Sequence, residues 1–168
     1  RKMECLRLAF AQEGEQVLES EGLKAFFEDN KDWLVPYAVF SYLRDRYQTA
    51  EFQKWPQCSK YNRREIEKLA APEGKDYALI ALYYYIQYQL HLQLLDVRNT
   101  ARQAGVIIKG DIPIGISRTS VEAWSQPHLF NLDGQAGAPP DDFSKNGQNW
   151  GFPTYNWEAM AEDGYQWW

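Results

Sequence analysis

Cysteine is scarce in this chain. Only Cys5 and Cys58 occur among its 168 residues, far apart and outside any C-x-x-C spacing, which argues against a zinc ribbon or a disulfide framework. A reducing, cytoplasmic compartment fits that usage best. Histidine is equally rare. His91 and His128 stand isolated from one another, and a lone histidine on an apolar helix is more often a packed core residue than a metal ligand or triad member. Basic charge is short as well: 18 Lys and Arg face 23 Asp and Glu, for a net charge of −5. The cations are scattered among acids rather than gathered in a stripe, which argues against nucleic acid as a partner. A membrane span is excluded by the lack of a long apolar run. The most apolar stretch, residues 77–97, is interrupted by Gln87, Gln89, His91, Gln93 and Asp96, short of the roughly 18 unbroken apolar residues a span requires. It reads instead as a buried helix.

Familiar catalytic signatures are missing too. No G-x-S-x-G, H-E-x-x-H, Walker or G-x-G-x-x-G pattern occurs, and "NLDG" at residues 131–134 lacks the repeated acids of a calcium loop. No metal and no cofactor is expected. The N-terminal "RKMECLRLAF" is charged and helical, without the apolar block of a signal peptide. At the other end the chain stops on Gly-Tyr-Gln-Trp-Trp, where two terminal Trp with nothing following them to bury against read as a cut through a larger protein.

What is present is helix, then turns. Apolar residues recur at helical spacing over residues 10–27 and again over 33–47, with Asn30 or Asp32 as the expected cap of the second helix. A third helix fits residues 63–70, ended by Pro72 and Gly74. The fourth is the clearest: Leu79, Leu82, Ile86, Leu90, Leu94 and Val97 form one face, and Tyr84, Tyr88 and Leu95 another. It runs through Arg98 and Arg102 to Gly105, placed as a left-handed cap. Val106-Ile107-Ile108 then reads as a short strand buried on both faces, so that helix, glycine and strand form a β/α unit. Pro113 ends its pairing. From Ser120 onward the chain is turn-rich, with short helices expected at 120–125 and 157–165.

Two features carry chemistry. Asp111 follows the expected strand, where β/α barrels place site residues, and it reads equally well as the cap of a following turn. The stretch "GAPPDDFSKNGQNWGFPTYNW", residues 137–157, has the Gly, Pro, Asn and Asp content of a loop but carries two Trp, two Phe and a Tyr. Rings interleaved with amides and carboxylates suit a sugar, whose C–H faces lie on aromatic rings while its hydroxyls bond to polar side chains. The same rings could instead form the loop's own small core. Composition leaves both readings open.

At "KGDIPIGISRTSVEAW" and "FNLDGQAGAPPDDFSKNGQNWGFPTYNW" the sequence resembles the 4-α-glucanotransferases of glycoside hydrolase family 77, the amylomaltases and disproportionating enzymes, and within them the plant cytosolic and Bacteroides-like branch more than the short bacterial amylomaltases. The ordered motifs run from Lys109 to Trp157, and "FFEDNKDWLVPYAVFSYLRDRY" resembles the family's helical region. The resemblance implies an α/β fold: part of a (β/α)8 barrel, mainly α-helical as an isolated chain. Residues 1–105 would form a helical subdomain, and residues 106–168 the third barrel strand, the substrate-covering loop and a short helix. It implies transfer of an α-1,4-glucan segment to the 4-hydroxyl of another sugar by a retaining, two-carboxylate mechanism. α-1,4-Glucans and maltooligosaccharides are then the expected partners. Substrate contacts are expected at Asp111, Pro140, Asp141, Phe143, Gln148 and Trp150, with Asp111 supporting rather than performing catalysis. Phe152, Tyr155 and Trp157 are expected to pack.

Two departures matter. Many members carry Tyr after Pro-Pro-Asp where this chain has Asp142, which leaves Phe143 alone on the loop crest. The Arg-x-Asp-His motif that holds the family's nucleophile does not occur here, so the chain alone is expected to be inactive, with a sticky Trp167-Trp168 end and self-association through exposed apolar faces. The rival reading is a non-catalytic glucan-binding or helical interaction module.

Overall fold

A computed structural model describes residues 1–168. Four helices form the larger part: α1 (Lys2–Leu18), α2 (Glu21–Tyr47), α3 (Arg63–Leu69) and α4 (Tyr77–Gln103). α1 and α2 are separated by a sharp corner at Glu19 and Ser20, not by a break near residue 30 as the periodicity suggested. Ser20 is the cap, its hydroxyl accepting from the Leu23 amide at 3.2 Å, which satisfies a first-turn donor. Asn30 lies in mid-helix, where its amide group donates to the Phe26 carbonyl and accepts from the Trp33 indole. Pro36 sits inside α2 and is buried without ending the helix. α3 begins at Asn62, whose side chain accepts from the amides of Arg64 and Glu65.

α2 and α4 pack along each other, and their facing stripes make the core: Leu34, Ala38, Val39 and Leu43 from α2 against Ile80, Ala81 and Tyr84 from α4. Burial on α4 is confined to Ile80–Tyr85. Beyond Tyr88 the helix extends past its partners and exposes Leu90, Leu94 and Val97, which overturns the expectation of a helix buried throughout. α2 is equally long, at 27 residues, but its Phe26 meets α4 at Tyr88 and His91, and Leu90, Leu94 and Val97 beyond are left exposed. Gly105 follows with φ +71°, as its cap role requires.

Residues 106–108 form no strand in this chain. Ile107 is 91% exposed and the run pairs with nothing. An apolar run becomes a strand only when a neighbour supplies its ladder partners, and every paired strand here lies from Phe130 onward.

The second layer is small. α5 (Val121–Ser125), capped by Ser120, leads through a 3-10 turn into four two-residue strands and α6 (Trp157–Glu162). β1 (Phe130–Asn131) pairs antiparallel with β4 (Thr154–Tyr155), and between them β2 (Gly137–Ala138) pairs antiparallel with β3 (Gln148–Asn149). The result is a nested ribbon. Its base rests on a cluster of Leu129, Phe130 and Met160. The chain's last residues close over this cluster: Trp167 meets Phe130 at 5.6 Å, and Trp168 stacks on Trp157 at 6.0 Å and 13°. The terminal tryptophans therefore have partners within the chain, although Trp168 keeps 46% of its surface exposed.

Ala123 and Trp124 of α5, both buried in the helices' core cluster, join the two layers. Trp124 of α5 packs on Phe40, Trp55 and Tyr61, and its indole donates to the Cys58 carbonyl at 2.8 Å.

Candidate functional site: an aromatic and amide-bearing hairpin

The β2–β3 hairpin rises from the nested ribbon. Its register sets Gly137 opposite Asn149 and Ala138 opposite Gln148. Both glycines at its crossing points are required by space: a Cβ on Gly137 would lie 2.2 Å from the Gln148 carbonyl oxygen, and Gly147, at φ +71°, would place one 2.6 Å from the Ala138 carbonyl. The connection between the strands is ordered by Asp141. One of its carboxylate oxygens accepts from the amides of Phe143 and Ser144 at 2.9 and 2.7 Å, and the Ser144 hydroxyl donates to the Gly147 carbonyl at 2.7 Å. This is a side chain imitating a backbone turn, and it holds Phe143 at the crest, 98% exposed.

At the other end of the hairpin the Trp150 indole donates to the Gln148 side-chain oxygen at 3.1 Å, which fixes ring and amide relative to each other. Trp150 also stacks on Phe152 at 5.9 Å and 27°. Phe152 in turn lies against Gly115, where a Cβ would approach its ring to 2.2 Å. A groove of about 460 Å³ runs between residues 115–118 and 150–152. Trp150 stands at its edge, 46% exposed.

The expected site residues thus divide. Pro140, Phe143, Gln148 and Trp150 are exposed on the hairpin. Asp141 shares that hairpin with one oxygen committed to the turn. Asp111 is on the exposed arm that precedes the ribbon, where it accepts the Ile112 amide at 2.9 Å, and no hydrogen bond connects it to the hairpin. Of the rings expected to pack, Phe152 and Tyr155 are half-buried, and Tyr155 donates to the Pro113 carbonyl at 3.2 Å. Burial raises the Tyr155 phenol above its ordinary pKa. Trp157 is half exposed but covered on one side by Trp168. His91 is exposed, its ring against Phe26 at 4.9 Å, so it is not the core residue its helix suggested.

Arg118 gave no signal in the sequence. Its guanidinium donates to the carbonyls of Leu132, Gly134 and Gly151, residues that flank the hairpin on both sides. Neither spacing nor composition marks such a contact, because its partners are main-chain atoms 14 to 33 positions away.

The braced hairpin thus sets exposed rings beside side-chain amides. The sequence matches the profile of the 4-alpha-glucanotransferase family, glycoside hydrolase family 77, over residues 1–168. It is 45% identical to the rice (Oryza sativa subsp. japonica) 4-alpha-glucanotransferase DPE2 over 167 residues, 99% of this chain and 18% of that protein. With the Aquifex aeolicus 4-alpha-glucanotransferase it shares 36% over 154 residues, 88% of this chain and 31% of that one. The fold is similar to an amylomaltase from Streptococcus agalactiae solved with acarbose, at TM-score 0.80 and 29% identity over 98% of this chain and 35% of that chain. The chain belongs to the 4-alpha-glucanotransferase family, and it spans between about a fifth and a third of the length of these relatives.

Proposed function

We propose that this chain forms the helical subdomain and substrate-covering hairpin of a cytoplasmic 4-α-glucanotransferase built on a (β/α)8 barrel. The observation that carries the reading is the hairpin itself, where Phe143, Gln148 and Trp150 are exposed on a turn that Asp141 braces. In the whole enzyme a retaining double displacement would cleave an α-1,4 bond, hold the glucanosyl unit on a carboxylate, and pass it to the 4-hydroxyl of an acceptor. This chain's residues bind and orient. The Trp150 face receives a pyranose ring, the Gln148 amide meets its hydroxyls, and the crest at Phe143 covers the glucan. Cover of that kind excludes water and so favours a sugar acceptor over hydrolysis. Two unpaired cysteines support the reducing compartment.

The Arg-x-Asp-His motif is absent from the sequence, and in the hairpin Asp141 is occupied as a turn cap. The chain alone is therefore assigned binding without turnover. Titration with maltoheptaose, followed by amide chemical shifts, should perturb residues 143–152, and maltotriose should yield neither glucose nor longer chains. Shifts confined to the helices would count against the glucan surface. Redistribution of maltotriose would count against the assignment of catalysis elsewhere.

A further inference from the structure

We infer that Arg118 is a positioning residue for the hairpin: it sets where Trp150 stands and thereby the affinity for glucan. The inference rests on the glucan-binding reading of that hairpin. Arg118 lies on the segment beneath the ribbon, and its planar guanidinium uses three nitrogens on three carbonyls. Nε donates to Gly151 at 3.0 Å, and the two Nη atoms donate to Leu132 and Gly134. Leu132 and Gly134 precede β2, while Gly151 follows β3 and is bonded covalently to Trp150. One side chain thus ties the incoming and outgoing strands at the neck of the hairpin.

The backbone bonds at that neck are few. The Trp150 amide donates to Ala136 and the Ala136 amide to Phe152, both at 2.9 Å. Two-residue strands add little to this, since an isolated short hairpin is marginal in water. The charged fork therefore supplies much of the neck's rigidity, charge-assisted bonds being roughly twice as strong as neutral ones. A second observation on the same segment agrees. Gly115, three residues earlier, admits the Phe152 ring where any Cβ would collide with it, and Phe152 is the ring on which Trp150 stacks. Residues 115–118 are thus the bed that fixes both the backbone and the ring of Trp150. Lysine cannot replace this function, because a single ammonium cannot present a planar fork to carbonyls on two strands.

The test compares Arg118→Lys, Arg118→Ala and Trp150→Ala with the unaltered chain. Amide hydrogen exchange and maltoheptaose affinity are both measured, and far-UV circular dichroism confirms that the helices remain. Exchange at the Ala136 and Trp150 amides should accelerate about tenfold or more in both Arg118 variants, as loss of charge-assisted bonds implies, with the α2 and α4 amides unchanged. Affinity for maltoheptaose should fall about three- to tenfold, the range a misplaced stacking ring implies. Unchanged exchange in Arg118→Ala overturns the clamp. Full rescue by lysine overturns the fork geometry and leaves only charge. Accelerated exchange with unchanged affinity, where Trp150→Ala loses binding, overturns the positioning role. Failure of the underlying glucan reading has a different signature, no maltoheptaose binding by the unaltered chain.

Discussion

Trp124 should be the residue whose loss uncouples the hairpin from the helices. It is 2% exposed, with Phe40, Trp55 and Tyr61 at ring distances of 5.6, 5.9 and 5.0 Å. Truncating a buried Trp to Ala costs about 3–5 kcal/mol in lost burial and cavity formation. The indole also satisfies the Cys58 carbonyl, and leaving such an acceptor unpaired costs about 1–3 kcal/mol. These contributions overlap, so about 4 kcal/mol is expected for Trp124→Ala, a large part of the roughly 5–15 kcal/mol that holds a domain folded. Trp124→Phe keeps much of the ring packing and loses the hydrogen bond, and should cost about half as much. Urea unfolding followed by far-UV circular dichroism gives both values. Amide exchange supplies the discriminating readout: in Trp124→Ala the amides of residues 130–156 should lose protection more than those of α2 and α4. A loss below about 1 kcal/mol, or equal loss of protection in both layers, would refute Trp124 as the specific link.

Other perturbations follow from single contacts. Asp141→Ala removes the acceptor for the Phe143 and Ser144 amides and should destabilise the turn by about 1 kcal/mol, seen as faster exchange at those two amides with the melting temperature nearly unchanged. The Tyr84 hydroxyl is buried without a hydrogen-bond partner, so Tyr84→Phe should be neutral or stabilising by up to about 1 kcal/mol in urea unfolding; a loss beyond that would mean a partner exists. Burial first, and then its hydrogen bond to Asp45, pushes the Tyr83 phenol from 10.0 up to about 12. The folded state thus favours the neutral phenol, a contribution of about 2–3 kcal/mol that is complete below pH 10 and lost between about pH 10 and 12. Tyr83→Phe should flatten the stability profile over that window. The isolated chain should also self-associate through Leu90, Leu94, Val97 and Ile107, all exposed; sedimentation that stays monomeric across a wide concentration series would count against this.

Legibility followed the range of the interactions involved. α3 and α4 were readable because their periodicity and their stops at Pro72 and Gly105 are local. The corner at Ser20 was not, because Leu18, Leu23, Phe26 and Phe27 keep helical spacing across it and only the capping bond reveals the break. In the hairpin, composition alone left open which rings face out, and only the family resemblance separated Phe143 and Trp150 from Phe152, Tyr155 and Trp157. Phe152 and Trp150 are near neighbours of like chemistry, and they are told apart by Gly115, distant in sequence, which receives one ring and leaves the other at the groove's edge.

The run Val106-Ile107-Ile108 shows where pattern reading stops. Its composition suits a strand covered on both faces, and its place after a capped helix suits a β/α unit. Strand formation, however, is a property of pairs, and in this chain the Val106 amide turns back to the Ala101 carbonyl at 2.8 Å while Ile107 lies in solvent. The sequence pattern therefore describes an environment rather than a conformation. That inference matches the family's dimensions, since the chain spans 18% of the rice relative and 35% of the Streptococcus agalactiae structure. This unpaired apolar pattern adjoins an α4 end that no helix of the chain covers. The hairpin has no such gap: its turn, its neck and its bed are all built from residues 115–152.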